Sequence, residues 1–105
     1  MLNQVVLVGR LAKAVEWVEE GKKAYITIAV PRPFKNEEGI FETDFVKCEL
    51  WNAVATNTSE YCQQGDLIGV KGSIRTTKVD DDYEIKIVAD KLTFLSSRKS
   101  EETSN

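Results

Sequence analysis

Histidine is absent from the chain, and cysteine and proline occur only twice each. The missing histidine removes the commonest general base near neutral pH and the commonest metal ligand. Cys48 and Cys62 form no CxxC pair, and two thiols alone cannot close a zinc site, which takes four nitrogen or sulfur ligands. Both therefore read as small buried apolar residues. The longest apolar run, Val5-Val6-Leu7-Val8, falls far short of the ~20 residues that cross a bilayer. The N-terminus lacks the basic region and long apolar stretch of a secretory signal, so the cytoplasm is the expected compartment and no membrane partner is expected. There is no glycine-rich phosphate loop and no nucleophile–base pair. Only Asp80, Asp81, Asp82 and Glu84 offer a set of oxygens for a hard cation. They fall in an expected hairpin turn, where aspartate is favoured for its hydrogen bonds to the backbone. No catalytic residues, metal ligands or cofactors are expected.

What is present is enough for one compact domain and not for two: 105 residues with 42% apolar and 30% charged side chains. The net charge of −3 runs against a polyanionic ligand, but binding depends on where charge lies rather than on its sum. Lys71, Arg75 and Lys78 form one basic cluster, and Arg32 with Lys35 another. The acids collect elsewhere, at Asp80-Asp81-Asp82 and Glu101-Glu102. From Ser96 onward no apolar residue occurs. Residues 1–95 are therefore expected to form the domain, and 96–105 a disordered polar tail.

The pattern upstream of that tail is mostly of period two. Asn3 to Leu11 reads as a first strand, apolar on both faces around Val5 to Val8. Lys22 to Val30 reads as a second, with Ile26, Ile28 and Val30 on one face. Pro31-Arg32-Pro33 and Asn36-Glu37-Glu38-Gly39 predict a turn-rich connection. Phe45 to Trp51 is the third strand. Between Asn52 and Gln64 the apolar spacing becomes helical, with Asn52 as the expected cap and Gly65 as the stop. Leu67 to Lys78 and Tyr83 to Phe94 are two further strands. The apolar parity of the last one changes after Ala89, which predicts a bulge near Asp90. Three strands, one helix and two strands is the order of a mainly β, five-stranded OB-fold barrel with its helix between strands three and four. The fold alone leaves oligonucleotides, oligosaccharides and proteins open as ligands.

The third strand carries the sharpest signal. With Val46, Cys48 and Leu50 turned to the core, Phe45, Lys47, Glu49 and Trp51 face outward. Flat rings interleaved with a cation are what a single-strand binder uses, the rings for bases and the cation for phosphates. The same rings could instead be covered by a second layer or a neighbouring subunit, and parity alone leaves both open. In the fourth strand Ile68, Val70 and Ile74 share one face, leaving Lys71, Ser73, Arg75 and Thr77 on the other. That stripe suits a solvated face or a phosphate track. Trp17, in the polar stretch between the first two strands, could stack a base or cover the barrel mouth, and packing is the favoured reading.

Several segments resemble the bacterial single-stranded DNA-binding proteins. They are Asn3-Gln4-Val5-Val6-Leu7-Val8-Gly9-Arg10-Leu11, Ala29-Val30-Pro31-Arg32-Pro33-Phe34-Lys35 and Asp44-Phe45-Val46-Lys47-Cys48-Glu49-Leu50-Trp51. Tyr61 to Leu67, Gly72 to Thr76 and Val88 to Leu95 continue the likeness, in the family's order, over nearly all of residues 1–95. The resemblance implies sequence-nonspecific binding and protection of single-stranded DNA in replication, recombination, repair or DNA uptake. It implies base stacking on Phe34, Phe45 and Trp51, and phosphate contacts from Arg10, Arg32, Lys35, Lys47, Lys71, Arg75 and Lys78. It further implies a homotetramer with replication and recombination proteins as possible partners. Two departures stand out. Val79 occupies a position that is often aromatic, which predicts a smaller site or weaker binding. The acidic, hydrophobic tip that recruits enzymes in many members is not found in Lys99 to Asn105. A short form is expected on that account, whether a paralogue for DNA uptake, a phage or plasmid protein, or a shortened chain. The alternative within the same fold is a replication-restart accessory module whose rings meet a protein.

Overall fold

The structure, a computed structural model, describes residues 1–97. Its elements run β1 (Val5–Leu11), β2 (Glu16–Glu19), β3 (Lys23–Lys35), β4 (Phe41–Trp51), α1 (Asn52–Tyr61), β5 (Leu67–Val79) and β6 (Asp82–Ser96). β1 pairs antiparallel with both β5 and β3, β3 with β4, and β5 with β6, while β4 runs parallel to β6. These pairings close a five-stranded barrel in the order β1-β5-β6-β4-β3, with α1 between its third and fourth strands. The fold is the expected OB-fold.

The alternation read from sequence is what fills the barrel. Ala24, Ile26 and Ile28 of β3, Cys48 and Leu50 of β4, and Ile68 and Val70 of β5 are all buried and meet Leu11 of β1 in one cluster. Both cysteines are buried free thiols, and burial pushes the Cys48 thiol up to about 11. The parity change in β6 has its expected cause. Lys71 pairs with Lys91 but Gly72 with Ala89, so Asp90 is left over as a bulge that returns Leu92 to the core.

Four local expectations are corrected. β2 adds a short strand to the first connection. It lies beside Lys23 to Tyr25 of β3 and brings Trp17, its expected packing residue, against the core. The prolines do not end β3, which continues to Lys35. Its register with β4 shifts between Pro31 and Lys35, and an irregular, exposed stretch paired on one side tolerates residues that cannot donate. Asn52 does not cap the helix. Trp51 holds that position without a side-chain bond, while Asn52 takes a left-handed φ of 51° and donates its backbone N–H to the Lys22 carbonyl, 2.7 Å away. Asparagine is among the few non-glycine residues that adopt this conformation readily. The helix stops at Tyr61 rather than Gln64. The Asp66 carboxylate accepts the Gln63 N–H at 2.7 Å, and this local turn replaces the last helical bonds.

Both hairpins extend beyond the barrel. β3 and β4 join through Asn36 to Ile40, where the Asn36 side chain accepts the Glu38 and Ile40 N–H groups. β5 and β6 turn at Asp80 and Asp81, with Val79 paired to Asp82 and Asp80 at a φ of 55°. Ser96 closes β6. Most of the segment expected to be a polar tail, residues 98–105, lies outside the described residues.

Candidate nucleic-acid interface

The outward row of β4 is built as its alternation requires. Phe45 is 67% exposed and Trp51 37%, with exposed Lys47 between them. Across the β3–β4 ladder they face Ala29, Lys23 and Thr27, and Glu49 faces Tyr25. Residues directly opposite in a ladder share a face, so Lys23 and Tyr25 belong to this surface. The Lys47 ammonium lies 4.1 Å from the centre of the Tyr25 ring, and that of Lys23 lies 5.5 Å from Tyr25 and 5.2 Å from Trp51. These contacts place positive charge directly beside the rings.

Glu49 departs from the expected outward, solvated row. It is 1% exposed, with its oxygens 3.1 Å from the Lys23 ammonium and 3.2 Å from that of Lys86. Burial alone pushes its carboxyl up, but the close ion-pair contacts of the two lysines outweigh that and hold it below its ordinary value. Lys86 is carried by β6, directly opposite Arg75 on β5. The two hairpins thus enclose a groove of about 410 Å³ lined by Tyr25, Lys47, Glu49, Thr77, Glu84 and Lys86, among others.

The remaining expected site residues fall at different distances from this groove. Arg10 on β1 pairs with Ala29, which pairs with Phe45, so the three form one row across the barrel. Its guanidinium also donates to the Gly65 carbonyl at 3.0 Å, tying β1 to the turn before β5. Phe34, 80% exposed, stands on the irregular arm of β3, and Lys35 lies 5.6 Å from the Phe41 ring. Arg32 is engaged by two acids: it makes a forked pair with Asp44 at 2.9 and 3.0 Å and a 2.6 Å contact to Glu42. The hydrogen bond and charge of Arg32 hold the Asp44 carboxyl below its ordinary value. A phosphate would have to displace a carboxylate there. Lys71 lies between Val6 of β1 and Lys91 of β6, beside a different part of the outer surface. Lys78 faces Tyr83 near the tip of the β5–β6 arm, one position from Val79.

Lys23, Tyr25 and Lys86 were not among the expected residues. The alternation that turned Ile26 and Ile28 inward also turns Lys23 and Tyr25 outward, and Lys86 lies opposite Arg75, on the face already expected to carry cations. The signal was therefore present on strands two and five. Among the described residues no group of three or more histidine, cysteine or acidic side chains is placed to hold a metal ion. No helix among them is long and apolar enough to cross a membrane.

Residues 2–95 match the model of the family described as "Single-strand binding protein family". The chain belongs to this family. The single-stranded DNA-binding protein B of Bacillus subtilis is 39% identical, over the whole of both chains. Single-stranded DNA-binding protein 3 of Listeria innocua is also 39% identical, over 95% of this chain and 68% of that one. Among solved structures, the small single-stranded DNA-binding protein of Streptomyces coelicolor aligns with a TM-score of 0.65 at 19% identity, over 90% of this chain and 95% of that one. The single-stranded DNA-binding protein of Thermus aquaticus gives 0.73 at 23% identity, covering 93% of this chain and 52% of that one. Likeness at these identities speaks to the barrel, and the family's fold is the fold described above.

Proposed function

We propose that the chain binds single-stranded DNA with little sequence preference, stacking bases on Trp51, Phe45 and Phe34 and meeting phosphates with Lys23, Lys47, Arg75 and Lys86. The observation that carries this reading is the outward row of β4: two large exposed rings flanked by cations on a barrel face where neither is needed for the core. Every base offers a π-face, so stacking is tolerant of sequence. Arg10, Lys35, Lys71 and Lys78 would extend the phosphate path, and Arg32 only if the strand displaces its acids. The role is binding rather than catalysis, in the cytoplasm with the nucleoid, in replication, recombination, repair or DNA uptake. Titration with oligo(dT) is expected to quench tryptophan fluorescence strongly, and Trp51→Phe to abolish most of that quenching because Trp17 is packed on the core. Unchanged fluorescence together with no measurable association would refute the reading.

Assembly follows from β1. Val6 and Val8 leave 67% and 51% of their surface exposed on its outer face, an apolar stripe that a single barrel does not cover. We propose that a second copy covers it and that the working form is a homotetramer. Light scattering at micromolar concentration is expected to give a mass near four times 11.8 kDa, and Val6→Asp with Val8→Asp to lower it. A mass of 11.8 kDa for the unaltered protein would contradict this.

A further inference from the structure

A carboxylate at the floor of a groove that binds a polyanion needs an explanation beyond folding. Glu49 is 1% exposed and lies between two ammonium groups, at 3.1 Å from Lys23 and 3.2 Å from Lys86. Lys23 belongs to the β3–β4 hairpin and Lys86 to the β5–β6 hairpin, so one carboxylate joins the two walls of the groove. The Lys23 ammonium is also held over Trp51 and Tyr25. Lysine carries its charge on a flexible four-carbon stem, and Glu49 removes much of that freedom where bases and phosphates would meet. It also changes the local charge. Two lysines and one carboxylate leave a single net positive charge where the lysines alone would present two.

We infer that Glu49 is a positioning residue for strand binding: an internal counter-anion that holds Lys23 and Lys86 beside the stacking rings and limits the net charge they offer to phosphate. The inference rests on the reading of the groove as the DNA site. Its consequence is a weaker salt dependence rather than maximal affinity. Each phosphate neutralised releases condensed counterions, and for single strands log K falls with log salt by about 0.7 per phosphate contacted. Glu49 lowers that number by taking up one of the two positive charges. Binding then depends more on the rings of Trp51 and Phe45 and less on salt, and duplex DNA, which offers phosphates but no free base faces, gains less from this part of the surface.

The test is the salt dependence of oligo(dT) affinity for the full chain, for two variants, Glu49→Gln and Lys86→Gln, and for their combination. Glutamine keeps the shape of glutamate and removes its charge. Glu49→Gln is expected to bind more tightly at low salt and to steepen the slope by about 0.7, so that raising salt fourfold costs it roughly 2.5-fold more affinity than the unaltered chain. Lys86→Gln is expected to flatten the slope by a similar amount, and combining it with Glu49→Gln, which again leaves one net positive charge, to restore the parent slope; the combined variant decides the matter if Glu49→Gln alone does not fold. Parallel slopes in all four proteins, with Glu49→Gln merely less stable, would overturn the inference and leave Glu49 as a structural ion pair. That outcome is distinct from failure of the function itself, in which the unaltered chain would not bind oligo(dT) at all.

Discussion

Replacing Trp51 or Phe45 with alanine is expected to weaken oligo(dT) binding by about 1–3 kcal/mol each, roughly five- to 150-fold, while leaving the salt slope nearly unchanged. The reason is the division of labour across the groove. The rings contribute contact area and π-faces without charge, so their loss removes a term insensitive to ions. Arg75→Ala or Lys47→Ala should behave in the opposite sense, flattening the slope with a smaller loss at high salt. Phe45 is the cleaner position, because the Lys23 ammonium lies 5.2 Å from the Trp51 ring and loses that neighbour when the ring is gone. Affinities measured at several salt concentrations check both halves of the expectation. Equal changes in slope from ring and cation substitutions would mean that the roles are wrongly divided.

Gly72→Ala is expected to destabilise the fold heavily, at or above the roughly 1–3 kcal/mol typical of overpacking in a tight site. A β-carbon at this position would fall on the Val88 carbonyl oxygen and lie 2.9 Å from its carbon and 3.0 Å from the Ala89 Cα. These are backbone atoms of β6, which cannot step aside as a side chain can. Gly72 sits where the β5–β6 register shifts around Asp90, so the missing side chain is what lets the bulged strand close onto β5. Urea or thermal unfolding followed by circular dichroism measures the loss. An alanine variant as stable as the parent would show that β6 is not held this closely.

Much of the barrel was legible because alternation and core filling are one fact seen twice. Ile26, Ile28, Cys48, Leu50, Ile68 and Val70 announce their strands, and the parity change after Ala89 announces the bulge. What stayed hidden depends on register between distant segments. The burial of Glu49 follows from Lys23 and Lys86, which lie 26 and 37 residues from it along the chain and meet it only once the barrel closes. The engagement of Arg32 follows from Glu42 and Asp44 across a hairpin whose register shifts at the prolines. β2 was missed because Glu16-Trp17-Val18-Glu19 contains too few apolar residues to show a period, and Trp17 gains its place from packing rather than pattern. The rings of the site were readable for a simpler reason: Phe45 and Trp51 are apolar residues at positions that the core does not use.

On the proposed reading, stacking with charge in support selects single strands. In a duplex the bases already stack on each other, so the rings of Phe34, Phe45 and Trp51 cannot reach their faces. A net charge of −3 and the pairing of Arg32, Lys23 and Lys86 with carboxylates give duplex DNA little general attraction. The most direct test is competition in physiological salt between labelled oligo(dT) bound to the protein and unlabelled blunt duplex or single strands. Unlabelled oligo(dT) is expected to displace the label efficiently, oligo(dA) less so because its bases stack on themselves, and duplex hardly at all. Displacement by duplex as effective as that by oligo(dT) would mean that phosphate charge governs binding, and would contradict the account.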